Sequence, residues 1–82
     1  MLVRVFGLGC QKCTQTYENV KKAIEELNID AELVKISDIN EMSEWIFVAP
    51  GVAFDDEVVF EGNVPTVEEV KEELKRYLEE LE

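Results

Sequence analysis

The hydrophobic period changes twice within the first 36 residues of the chain. Residues Leu2–Phe6 are apolar except for Arg4, which predicts a strand buried on both faces. A stretch that ends at Asn28 then has apolar residues at helical spacing, with lysine and glutamate on the opposite side. These apolar residues are Tyr17, Val20, Ile24 and Leu27. Ala31–Ile36 predicts a second strand, and a strand–helix–strand unit of this length implies parallel pairing with a right-handed crossover.

A short helix is predicted next. Asp38 is placed to cap it, with Glu41 three residues further on as its capping-box partner. The apolar stripe of this helix contains Ile39, Met42 and Ile46, and Trp45 lies beside that stripe. We interpret Trp45 as a core residue rather than as a neighbour of a functional site.

The following segment predicts a hairpin. Pro50 and Gly51 interrupt the helical pattern, and Val52–Phe54 and Val58–Glu61 predict two strands. Asp55 and Asp56 lie between these strands in a turn so short that it can only join antiparallel neighbours.

A final helix closes the chain. Thr66 and Glu69 form a Thr-x-x-Glu capping box, and the predicted buried face consists of Val67, Val70, Leu74, Tyr77, Leu78 and Leu81. The predicted order is βαβαββα, an α/β fold whose four-stranded mixed sheet is flanked by three helices. We expect residues 1–82 to form a single domain.

Composition restricts the possible chemistry. The chain has 82 residues, 19 of them acidic and 8 basic, with a formal net charge of −11 and no histidine. An acidic field repels phosphate backbones, which argues against nucleic-acid binding. Without histidine there is no Cys–His or Ser–His catalytic pair and no mixed Cys/His zinc site.

The start of the chain predicts a strand rather than a leader with a cleavage site. No apolar run approaches the ~20 residues that span a bilayer. We therefore expect a cytoplasmic protein that makes no membrane contact. In that compartment a CxxC pair indicates redox or metal chemistry rather than a structural disulfide.

The candidate chemistry is carried by Cys10-Gln11-Lys12-Cys13, where the first predicted strand becomes the first helix. Cysteines at i and i+3 share a helix face, so a disulfide can close with little backbone movement. Cys10 at the helix N-terminus faces unpaired N–H groups that favour its thiolate, and Lys12 adds a positive charge. We therefore predict Cys10 as the nucleophile, Lys12 as a thiolate-stabilising residue, and Cys13 as the more buried resolving thiol.

The chain resembles the thioredoxin-like superfamily over essentially its whole length. The resemblance rests on the strand–CxxC–helix start, on Ala49-Pro50-Gly51-Val52 at the family's cis-proline position, and on Gly62 after the last strand. The short N-terminus and the segment Val64-Pro65-Thr66-Val67-Glu68-Glu69-Val70 are most similar to the small redox-active disulfide proteins of archaea and bacteria, the glutaredoxin-like thioredoxins.

The resemblance implies a thioredoxin fold and a disulfide reductase that uses the Cys10–Cys13 pair to reduce or exchange disulfides in protein partners. It implies a cis Ala49–Pro50 bond beside the disulfide, with Ala49 offering backbone groups to an extended substrate. A non-proline cis bond is rare, which favours Pro50 for this position. We expect a monomer with no cofactor other than its redox-active disulfide, no metal, and an unidentified reductase as second partner.

Two other functions remain open at this point. The stretch Gly7-Leu8-Gly9-Cys10-Gln11-Lys12-Cys13 is similar to the Gly-Met-x-Cys-x-x-Cys of heavy-metal chaperones, and two thiolates suit a Cu(I) carrier. A catalytically weak interaction module is the third hypothesis.

The Trp-Cys-Gly-Pro-Cys motif of thioredoxin proper and the Cys-Pro-Tyr-Cys of glutaredoxins are both absent. Structural zinc would need two further ligands, which only a dimer could supply.

Overall fold

The computed structural model describes residues 1–9 and 11–80 of the chain. Its elements are β1 (Leu2–Phe6), α1 (Gln11–Leu27), β2 (Glu32–Ile36), α2 (Ile39–Met42), β3 (Gly51–Phe54), β4 (Glu57–Glu61) and α3 (Val67–Glu80). The predicted βαβαββα order is confirmed. Cys10 and Leu81, two residues with predicted roles, lie outside the described residues.

The four strands form one mixed sheet in the order β2-β1-β3-β4. β1 pairs in parallel with β2 and antiparallel with β3. β3 and β4 form the predicted antiparallel hairpin, with a register shift between Val52 and Ala53. The two central strands are therefore β1 and β3, and β3 is buried along its whole length.

The two faces of the sheet are covered unequally. Helices α1 and α3 cover one face over a large core. The buried residues of this core are Val3, Val5, Val20, Ala23, Val52, Phe54, Val70 and Leu74. The opposite face carries a smaller cluster of Phe6, Met42, Ile46 and Ala53. Among the described helices, none is long and apolar enough to cross a membrane.

Trp45, predicted as a core residue, is partly buried and packs against the smaller cluster. Its ring lies 5.6 Å from that of Phe6 between centroids, and the guanidinium of Arg4 lies 4.7 Å from the Trp45 ring centroid. This cation–π contact explains why the single charge in β1 is tolerated in a central strand.

The predicted N-caps Asp38 and Thr66 are confirmed by their hydrogen bonds, and the two reciprocal bonds of a capping box are seen at Thr66 and Glu69. The Asp38 carboxylate accepts from the backbone N–H groups of Asn40 and Glu41, at 2.9 and 3.3 Å. At α3, Thr66 Oγ1 accepts from the Glu69 N–H while the Glu69 carboxylate accepts from the Thr66 N–H, both at 3.1 Å. These local bonds end the preceding loops and orient both helices.

The interpretation of Ile39, Met42 and Ile46 as the stripe of a single helix is wrong in part. α2 ends at Met42, so Ile46 packs on the sheet from the segment that follows the helix. Met42 and Ile46 are buried, whereas Ile39 is 64% exposed. Because α2 has only one turn, its buried side is too short to include both Ile39 and Ile46.

The hairpin turn is fixed by a polar cluster around Asp55, which has a positive φ of 53°. Aspartate tolerates this conformation. Its carboxylate accepts from the Tyr77 hydroxyl at 2.6 Å and from the Leu2 N–H at 2.9 Å, and its carbonyl accepts from Arg4. The cluster joins β1, the turn and α3 at the end of the sheet opposite the CxxC segment.

We expect Tyr77→Phe to lower the free energy of unfolding by about 1 kcal/mol at neutral pH, because it removes the donor to Asp55 and keeps the ring. The bond to Asp55 raises the pKa of Tyr77 to about 12, so its contribution is complete below the ordinary tyrosine pKa. That contribution is lost as the pH rises through about 12. The Tyr77 hydroxyl and the Leu2 N–H lower the pKa of Asp55. The stabilisation from the ionised Asp55 carboxylate is therefore complete above the ordinary pKa of an aspartate. It is lost as the pH falls from that value through the lowered pKa of Asp55 in the folded protein.

Urea unfolding across the pH range measures this effect. The difference between the wild type and Tyr77→Phe should be largest near neutrality and shrink at both ends. Tyr17→Phe, which removes a hydroxyl from α1, is the matched control and should show no such profile. A difference for Tyr77→Phe that is constant with pH would contradict the proposed hydrogen bond.

Candidate active site

Cys13 occupies the first turn of α1 and is 1% exposed. It is not a free cysteine. One turn further along the helix, Thr16 is completely buried. Its hydroxyl is satisfied because it donates to the Lys12 carbonyl at 2.8 Å. The predicted burial of Cys13 is confirmed, while the nucleophile predicted at Cys10 lies outside the described residues.

Lys12 is exposed beside Cys13. The first turn of α1 carries no acidic side chain, so within that turn no negative charge opposes the positive end of the helix dipole and the Lys12 ammonium. This electrostatic setting favours an anion at the start of α1, as the thiolate prediction for Cys10 requires.

Gly7 is a site residue that the sequence interpretation missed. It is buried at the end of β1, where its N–H donates to the Ile36 carbonyl at 3.0 Å. A Cβ at Gly7 would overlap both Cβ and Sγ of Cys13 and would lie 3.5 Å from the Cys13 Cα. The backbone of β1 therefore packs directly on the cysteine, and only glycine leaves space for it.

Pro50 is brought to the same place by the sheet. Gly51 pairs with Phe6 in the antiparallel β1–β3 register, so the next residues, Pro50 and Gly7, are neighbours. The Ala49–Pro50 bond is cis, as predicted, and Pro50 is buried. Its carbonyl accepts from the Gly62 N–H at 2.8 Å, which ties the end of β4 to the proline.

An open groove of about 220 Å³ lies beside this junction. Its lining residues are Leu8, Ile39, Met42, Ser43, Ile46, Phe47 and Ala49. Leu8 comes from the loop between β1 and α1, and Ala49 precedes the cis-proline. The structure thus places Ala49, a predicted substrate-contacting residue, in the wall of an apolar groove.

Within residues 1–9 and 11–80, no group of three or more His, Cys, Asp or Glu side chains is arranged to hold a metal ion.

Comparison with known proteins gives concordant matches. The family description "Thioredoxin domain" matches residues 1–75. A protein named thioredoxin from Methanocaldococcus jannaschii is 70% identical over 79 residues, which cover 96% of this chain and 92% of that protein. Another protein named thioredoxin, from Methanothermobacter thermautotrophicus, is 38% identical over 72 residues, or 87% of this chain and 94% of that protein.

Gly7→Ala tests the packing at Cys13. The added methyl group overlaps the cysteine side chain, so we expect a destabilisation of about 1–3 kcal/mol, as for other overpacked sites. We also expect faster alkylation of Cys13 in the reduced protein, because the displaced side chain becomes accessible. Urea unfolding and mass-spectrometric alkylation rates measure the two effects.

Gly9→Ala is the matched control in the same loop. Gly9 has a φ of 82°, and within residues 1–9 and 11–80 no atom outside its chain neighbours lies within 4 Å of its would-be Cβ. This variant therefore adds backbone strain without overlapping the described residues. It should lower stability and leave the alkylation rate of Cys13 unchanged. Equal effects of the two variants on that rate would show that the Gly7 contact does not hold the cysteine.

Proposed function

Because this chain belongs to the thioredoxin family, we propose that its thiol–disulfide oxidoreductase activity is carried by Cys10 and Cys13. The protein is a disulfide reductase. The observation that supports this assignment is the placement of Cys13, buried in the first turn of α1 and packed on Gly7 beside the cis-proline Pro50. A second cysteine three residues earlier completes a pair at the start of the helix.

Catalysis proceeds by two thiol–disulfide exchanges. The Cys10 thiolate attacks one sulfur of a partner disulfide; that S–S bond breaks, a mixed disulfide forms, and the other partner sulfur leaves as a thiolate and takes up a proton. Cys13 then loses its proton and attacks the Cys10 sulfur, which releases the second partner thiol. Two electrons and two protons pass from the Cys10–Cys13 dithiol to the partner, and the pair becomes a disulfide.

The different surroundings of the two thiols support these roles. The start of α1 and the Lys12 ammonium favour a thiolate at Cys10. Cys13 is buried, so it is shielded from outside disulfides and reacts with a sulfur that has already bonded to Cys10. Ala49, exposed in the groove wall before Pro50, offers backbone groups to an extended segment of the substrate.

The partners follow from this chemistry. The substrates are protein disulfides. A separate reductase supplies two electrons and two protons and so converts the Cys10–Cys13 disulfide back to the dithiol. We place the protein in the cytoplasm, where a lone CxxC pair serves redox chemistry. We also propose that residues 1–82 act as a single domain and a monomer.

The Cu(I)-carrier hypothesis is not supported by the comparisons, which identify a thioredoxin domain. The fold also differs from the one that hypothesis requires. Metal-chaperone domains end in a strand, whereas here the long helix α3 follows β4 and covers the main core.

We expect Cys10→Ser to abolish reduction of a protein disulfide such as insulin, because it removes the attacking thiolate. Cys13→Ser should instead accumulate mixed disulfides with the substrate, since the first exchange occurs and the second cannot. Turnover assays and mass spectrometry under non-reducing conditions distinguish the two outcomes. Mixed disulfides that accumulate in Cys10→Ser and not in Cys13→Ser would reverse the assignment. Tight 1:1 Cu(I) binding by the wild type without turnover would refute the redox function.

A further inference from the structure

Phe47 is the most exposed large apolar residue described, at 97%, and its neighbour Val48 is 56% exposed. Both lie between α2 and β3, directly before Ala49 and the cis-proline. An aromatic ring that remains almost wholly in water costs solvation free energy with no return in folding stability. Its position next to the proposed substrate groove gives the exposure a functional interpretation.

The segment that carries Phe47 is anchored at the end of β4. The Glu61 carboxylate oxygen Oε2 accepts from the N–H groups of both Phe47 and Val48, at 2.6 and 3.1 Å. Charge-assisted bonds of this kind are stronger than neutral ones. The adjacent Gly62 N–H bonds to the Pro50 carbonyl at 2.8 Å, so the segment is fastened to β4 at two points. The ring is therefore presented outward by a backbone that is hydrogen-bonded to Glu61.

Phe47 lies at the groove beside the CxxC segment. It lines the same groove as Leu8, from the loop that precedes the CxxC motif, and Ala49, which precedes Pro50. Leu8 is itself 58% exposed. A substrate segment bonded through its cysteine at the start of α1 would place a neighbouring side chain in this groove.

The chain segment that contains α2 and the residues of the groove around it is acidic. The chain contains no lysine or arginine from residue 36 to residue 70. The short α2 segment presents Asp38, Glu41 and Glu44 to solvent, and Glu61 is exposed at the end of β4. Long-range attraction therefore favours a segment with basic side chains and disfavours an acidic one.

We infer that Phe47, positioned by Glu61, selects protein disulfides whose cysteine is flanked by a bulky apolar residue and by lysine or arginine. The apolar side chain packs on Phe47 and Leu8, and the basic side chain faces the carboxylates of α2. This inference rests on the proposed redox function and adds to it a substrate class. Glu61 acts as a positioning residue, because it acts through the backbone N–H groups of Phe47 and Val48 that it holds.

The test compares two synthetic disulfide-linked peptides with a small-molecule disulfide, hydroxyethyl disulfide. In one peptide the cysteine is flanked by leucine and lysine; in the other, glutamate replaces the lysine. The wild type should show the lower KM for the lysine peptide, and added salt should reduce the difference. Equal KM values for the two peptides would overturn the charge part of the inference.

Phe47→Ala should raise the KM for the lysine peptide roughly tenfold, the effect of truncating an interface anchor, with a much smaller change in kcat. The loss should exceed any loss with hydroxyethyl disulfide, which is too small to fill the groove. Phe47→Leu, which keeps an apolar side chain, should recover part of the affinity. Equal losses on peptide and small disulfide would mean that Phe47 has only a structural role, and would overturn the inference.

Glu61→Ala should raise the same KM, because it removes the acceptor of both N–H groups. Glu61→Gln should recover much of the loss, since the amide oxygen still accepts. Glu57→Ala is the matched control: it removes an exposed carboxylate from the other end of β4 and should leave the KM unchanged. A KM that rises equally in Glu57→Ala and Glu61→Ala would show that general charge, and not the anchored segment, is responsible.

A binding measurement separates this inference from the redox function. The lysine peptide with methylated cysteines can be titrated into the oxidised protein and followed by NMR. Peptide-induced shifts of Leu8 that occur in the wild type and disappear in Phe47→Ala support docking whether or not the protein turns over. Turnover of hydroxyethyl disulfide without any such shifts would leave the proposed function intact and refute the docking site.

Discussion

The contact between the backbone of Gly7 and the side chain of Cys13 is the constraint on which the rest of the site depends. It brings the end of a central strand and the first turn of α1 to van der Waals distance, and it leaves Cys13 nearly inaccessible. The β1–β3 register sets Pro50 beside the same glycine. One close approach of backbone therefore positions the buried thiol and the cis-proline together, at the start of the helix where an anionic sulfur is favoured.

The groove follows from the unequal covering of the sheet. Two long helices bury one face, whereas α2 has only four residues and covers part of the other. Gly51 lets the segment after α2 approach the sheet closely, because a Cβ there would lie 2.8 Å from Ile46 Cγ2. Ile46 is consequently buried while Phe47 points to water. The same short helix that completes the smaller core leaves an apolar surface beside the CxxC motif.

Sequence patterns predict features whose causes are local. The caps at Asp38 and Thr66 involve bonds between residues two or three positions apart, so the sequence alone indicates them. The contact of Gly7 with Cys13 depends on how closely the end of β1 approaches α1. The sequence shows a glycine at position 7, but it does not show which side chain packs against that glycine. The Glu61 bonds to Phe47 and Val48 join residues 13 or 14 positions apart, and an exposed glutamate offers no signal of such a partner.

The central claim is that Cys10 and Cys13 form a reversible dithiol–disulfide pair within a fold that changes little between the two states. Equilibrium titration in redox buffers, followed by alkylation and mass spectrometry, measures this directly. The account predicts one two-electron transition within the range of about −270 to −120 mV spanned by dithiol–disulfide proteins, with thioredoxin at its lower end. The protein should remain folded on both sides of the transition. A pair that stays oxidised well below about −300 mV, as structural disulfides do, or a protein that unfolds on reduction, would contradict it.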